Sequence, residues 1–64
     1  MNAAKIQSIV SNLEELDASP SDLDEFVHDC ANSVASDVNN AGIEAQVEFL
    51  LGNGVNEKDI ISLF

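Results

Sequence analysis

The chain lacks tryptophan and tyrosine altogether, and holds one cysteine, one proline, three glycines and two basic residues in 64 positions. Each scarcity excludes something. A single cysteine, Cys30, allows no internal disulfide and suits a reducing compartment. With no Trp or Tyr to stack on bases and no basic patch to meet phosphates, direct binding of nucleic acid is not expected. The glycines form no phosphate-cradling loop. No stretch approaches the ~18 apolar residues of a membrane span, and Met1-Asn2-Ala3-Ala4-Lys5 has no apolar run of the signal-peptide kind. The expected setting is the cytoplasm, without a membrane partner. Linkers, internal repeats and low-complexity segments are missing too, so residues 1–64 read as a single domain.

What is present is acid. Twelve Asp and Glu residues against Lys5 and Lys58 leave a net charge of −10. Such a chain repels nucleic acid and anionic membrane and is drawn to basic surfaces. It also repels itself, so folding should become easier in added salt. An apolar content of 45% nevertheless argues against disorder. A domain this short buries only about 60% of its unfolded surface, which makes homodimerisation an expectation to test.

The apolar residues recur at helical spacing and nowhere alternate long enough for a sheet. The expectation is an all-α bundle of three to four helices, at about 2–17, 20–39, 42–52 and 57–63. In the first, Ile6, Ile9, Val10, Leu13 and Leu16 form the stripe, Asn2 is a candidate cap, and the residues before Pro20 end it. The second is expected to be the longest, and the element around which the others are arranged. Ser19 is its N-cap, Pro20 its first residue and Asp22 the carboxylate that reaches back. Leu23, Phe26, Val27, Cys30, Val34 and Val38 share its apolar side. Asn39-Asn40-Ala41-Gly42 either stops that helix or caps the next, whose stripe is Ile43, Val47, Leu50 and Leu51. Phe49 falls off that stripe and either covers the core or offers a partner surface. After Gly52-Asn53-Gly54, Asn56 caps a short last helix, and Phe64 is expected to dock.

Seven carboxylates, Glu14, Glu15, Asp17, Asp22, Asp24, Glu25 and Asp29, fall within sixteen residues with no basic residue among them, and Asp37 could extend the row. A solvated face is the plain reading. The alternative is a docking surface for a basic partner, since carboxylates one helical turn apart imitate a row of phosphates. Like charges so gathered cost stability, and that cost favours a use.

Enzymatic chemistry finds no foothold. The alternation Asp17, Ser19, Ser21 hints at a calcium loop, but Asp22 and His28 stand where Gly and a bidentate acid are needed, so no metal is expected. His28 with Asp24 one turn earlier supplies two ligands at most. His28 and Cys30, two apart on a helix, do not face one another, and Cys30 lies on the apolar side, where burial is expected. Glu44 and Glu48 face outward. No catalytic residue and no cofactor is assigned. Leu50 to Ile61 has a helix–turn–helix rhythm, yet its second helix begins Asn56-Glu57-Lys58-Asp59, with more anion than a DNA-reading helix carries.

In size, charge and helical content the chain resembles small phage-encoded inhibitors, including anti-CRISPR proteins of the nucleic-acid-mimic kind. The resemblance carries no diagnostic motif and transfers no functional residue. It implies a stoichiometric inhibitor that occupies the basic groove of a nuclease or other nucleic-acid-binding complex. The partner-binding residues would be Glu14, Glu15, Asp17, Asp22, Asp24, Glu25, Asp29 and Asp37, with Phe49 and Phe64 as apolar or dimer contacts. A helical adaptor whose charge only solubilises it is the alternative, and a small regulatory DNA-binding subunit the third.

Overall fold

Helical spacing of the apolar residues is the dominant local signal, and a computed structural model, which describes residues 3–64, is helical nearly throughout. The Asn2 cap lies outside those residues. Helix α1 (Ala3–Glu15) buries Ile6, Ile9 and Leu13, one stripe at three- and four-residue spacing. It stops two residues before the expected end, and Pro20 is not the immediate cause. Ala18 N donates to Leu13 O at 3.0 Å and Asp17 N to Glu14 O at 3.1 Å, the paired bonds of a Schellman turn. That turn needs one left-handed residue, and Asp17 supplies it with φ 57°. Leu16 falls beyond the helix and stays 47% exposed, so it is not the core residue the stripe predicts.

Helix α2 (Pro20–Cys30) starts as its sequence dictates. Ser19 is the N-cap, its backbone N donates to Asp22 Oδ2 at 2.8 Å, and Pro20 takes the first position. Leu23 and Val27 are buried; Phe26 and Cys30 are half-buried against the core, Cys30 less covered than its place on the stripe predicts.

The single helix expected over 20–39 does not form. At Ala31 the backbone becomes extended (φ −160°, ψ 90°), a 3-10 turn follows at Asn32–Val34, and a new helix, α3, occupies Ala35–Asn40. A straight 20-residue helix would run about 30 Å. The whole molecule measures 28 Å at its longest, so the far half would have had little to pack against. The break folds α3 back onto α2. It also changes the buried residue: Ala35 is in the core and Val34 is 40% exposed. Asn32 and Ser33, poor helix-interior residues, sit where the chain bends.

Helix α4 (Ile43–Gly52) is separate from α3. Gly42 caps it at φ 104°, ψ 176°, a region open essentially only to glycine. This helix, rather than the 20–39 segment, is what the others surround, for α1, α2 and α3 all pack on it. Its buried side chains are Gln46, Val47 and Leu50, with Ile43, Phe49 and Leu51 partly covered. A second Schellman turn ends it, through Val55 N to Leu50 O at 3.0 Å and Gly54 N to Leu51 O at 3.1 Å, with Gly54 left-handed at φ 88°. Helix α5 (Glu57–Ile61) is capped by Asn56, whose Oδ1 accepts from Asp59 N at 2.9 Å, and it buries Ile60. Phe64 is not docked: it and Leu63 are each 46% exposed.

These short helices close on one core. The radius of gyration, 10.4 Å, matches the roughly 10.7 Å expected of a compact chain of this length.

Candidate functional site

The turn at Asp17 gathers charge. It brings the last turn of α1, with Glu14 and Glu15, to the first turn of α2, with Asp22, through a link that carries Asp17 itself. All four are exposed, as are Glu25 and Asp29 further along α2. Rotating about 100° per residue puts Asp22, Glu25 and Asp29 within an arc of about 60°, over about 10 Å of helix axis. These six carboxylates make one acidic corner with a ridge running from it.

Electrostatics explains part of its survival. Asp22 sits at the positive end of the α2 dipole and is stabilised there. Glu14 and Glu15 sit at the negative end of α1, where each costs a few tenths to about 1 kcal/mol. Glu14, Glu15, Asp17, Glu25 and Asp29 enter no side-chain hydrogen bond or ion pair among the described residues. The fold uses the backbone of Asp17 in the turn but none of these five carboxylates.

Two residues assigned to the row from sequence stand apart from it. Asp24 lies about 200° round α2 from Asp22, toward the core side. It is half-buried, and its Oδ1 lies 3.3 Å from the Gln46 amide nitrogen. Asp37 is exposed on α3, and the break at Ala31 takes away the continuous helix that would have aligned it with the ridge. Of the two aromatic candidates, Phe49 partly packs on the core and also lines a shallow depression of about 440 Å³ with Ala45, Glu48, Gly52 and Asn53. Phe64 presents nearly half its surface to water.

Spacing alone does not reveal two features. One is Gln46, fully buried. Its Nε2 donates to Pro20 O and Asn39 Oδ1, each at 2.9 Å, and so ties the start of α2 and the end of α3 to α4. Asn39 Nδ2 in turn reaches Asp24 O at 3.4 Å, while Gln46 Oε1 accepts nothing among the described residues. Its position three after Ile43 and four before Leu50 was the available signal. The other is a groove of about 520 Å³ between the end of α1 and α5, walled by Asn12, Glu15, Leu16, Glu57, Lys58 and Ile61. No sequence motif marks it, because its two walls lie over forty residues apart in the chain.

His28 is exposed, and among the described residues no three His, Cys, Asp or Glu side chains come together as a metal-holding group. No described helix is long and apolar enough to cross a membrane. Comparison with protein-family models, with curated proteins and with solved structures finds no match.

Proposed function

We propose that this is a non-enzymatic inhibitor that binds and blocks a basic, nucleic-acid-binding protein by occupying the surface where nucleic acid would lie, in the manner of anti-CRISPR nucleic-acid mimics. One observation carries the reading. Glu14, Glu15, Asp17, Glu25 and Asp29 stand exposed along the corner and ridge with no structural partner among the described residues, although their mutual repulsion costs stability. A solubilising surface does not need its charge gathered at one turn. Charge of this kind steers association, which is fast at low salt and slows as salt rises.

The test is capture of the partner from a lysate of the source cells, followed by competition. Heparin or DNA should displace a mimic. The triple variant Asp22→Lys, Glu25→Lys, Asp29→Lys should lose capture while its circular dichroism stays helical. Unchanged capture by that variant rejects the proposal.

A second reading is a helical adaptor or homodimerisation module, favoured by the 46–47% exposure of Leu16, Leu63 and Phe64. Capture that survives both 0.5 M salt, where screening acts within roughly 4 Å, and the triple reversal would select it.

A further inference from the structure

The groove between α1 and α5 joins the acidic corner, and its chemistry describes an occupant. Its apolar surface is Leu16, 47% exposed at the end of α1, and Ile61 on α5. Its polar rim is Asn12, Glu15, Glu57 and Lys58, two carboxylates against one ammonium. Asn12 Nδ2 donates to Glu57 Oε2 at 3.2 Å and so bridges the two walls. Glu15 belongs to both groove and corner, and Glu15 and Asp17 flank Leu16 in the chain.

We infer that this groove docks a cationic amphipathic segment of a partner protein, with apolar side chains of that segment seated on Leu16 and Ile61 and its Lys or Arg residues facing Glu15 and Glu57. The inference rests on the proposed basic partner and names how that partner is gripped. Charge complementarity selects the occupant. A second copy of this chain would bring another net charge of −10 and its own Glu15 and Glu57 to the same rim. Nucleic acid and anionic lipid are repelled for the same reason. A cation-flanked apolar segment satisfies both parts of the site: its charges steer the approach, and burial of its apolar side chains supplies affinity that salt does not remove.

Two synthetic helical peptides of equal positive charge test this, one with Leu at positions i and i+4 among Lys residues, the other with Ala at those positions. Titrated into the full-length protein and followed by backbone NMR shifts, the Leu peptide should perturb Asn12, Leu16 and Ile61 and bind at least tenfold tighter than the Ala peptide. The variant Leu16→Ser, made at a half-exposed position so that folding is spared, should reduce that ratio to within twofold. Equal binding of the two peptides, or shifts confined to Asp22, Glu25 and Asp29, overturns the groove while leaving a charge-led mimic intact. Binding of neither peptide overturns it as well, and the mimic is then judged separately by the triple reversal. Shifts at the groove that instead grow with protein concentration alone would make the occupant a second copy and overturn the inference.

Discussion

Asp17 should be a residue whose replacement stabilises the fold and weakens the function. It holds φ 57°, where a side chain costs about 1–2 kcal/mol and Asp somewhat less than most, and it does so to close the Schellman turn of α1. It also places a negative charge beside the negative end of that helix, a cost of about 0.3–1 kcal/mol. Asp17→Gly relieves both. Glycine's greater freedom in the unfolded chain takes back roughly 0.5–1 kcal/mol, leaving a gain of about 0.5–1.5 kcal/mol. At about 2.1 cal/mol/K per residue, a chain of this length gains about 7 °C in Tm for each kcal/mol. Thermal melts of wild type, Asp17→Gly and Asp17→Asn at low and high salt separate the terms. Asn removes the charge and tolerates the left-handed region, so its gain should fade with salt, whereas the further gain on going to Gly should not. Affinity for the captured partner should fall in both variants. A Tm for Asp17→Gly equal to or below that of wild type refutes the account of this turn, and a gain in stability with unchanged affinity removes Asp17 from the binding surface.

Other outcomes follow from single contacts. Gln46→Ala should cost about 2–4 kcal/mol, from the cavity and from two acceptors, Pro20 O and Asn39 Oδ1, left without their donor. Since a domain of this size holds only about 3–10 kcal/mol, urea titration should find it near unfolding. Asn56→Ala removes the cap bond to Asp59 N and should lower stability by about 1 kcal/mol, with hydrogen exchange rising first in α5. Raising sodium chloride from 0.02 to 0.5 M should raise Tm, because the net charge of −10 is screened; a Tm that falls would mean the acids are less crowded than the corner implies.

How much was legible in the sequence depended on the range of the interaction. The starts of α2 and α5 were readable at Ser19-Pro20-Ser21-Asp22 and at Asn56, because a cap is a contract among four neighbouring residues. The stripe Ile6, Ile9, Leu13 was readable because the helix imposes its own period. The break at Ala31 was not. Apolar residues from Leu23 to Val38 continue the helical period across it, and Asn32 and Ser33 weaken the helix there only slightly, so the lack of any surface to cover a helix that long carries most of the weight. Gln46 escaped for a related reason: a polar residue on an apolar stripe reads as an edge until Pro20 O and Asn39 are brought to it by the fold. Among the acids, sequence could count them but not sort them.

That sorting sharpens the functional argument. Asp22 closes the cap of α2, Asp24 meets Gln46, and Glu57 holds Asn12, so three of the twelve acids serve the fold directly. If the charge were there only for solubility, the remaining acids could lie anywhere on the exposed faces of five helices. Five of them instead lie on the α1 end, the link and the outer face of α2; one of the five, Asp17, is the one non-glycine left-handed residue among those described, and it adjoins an uncovered leucine, Leu16. Unfavourable dipole placement, backbone strain and exposed apolar surface all meet at the turn that ends α1, and a Gly in place of Asp17 or a polar residue in place of Leu16 would close the same turn without them. Their meeting at one corner is what a binding surface for a basic, apolar-anchored partner requires, and moving the charges while keeping their number distinguishes the cases. A variant with Glu14→Gln, Glu15→Gln and Glu25→Gln, and with three glutamates placed instead at exposed Ser36, Asn40 and Ala41, keeps −10 and should remain as soluble as wild type but lose the partner. Retention of binding by that variant would show that net charge, rather than the corner, attracts it.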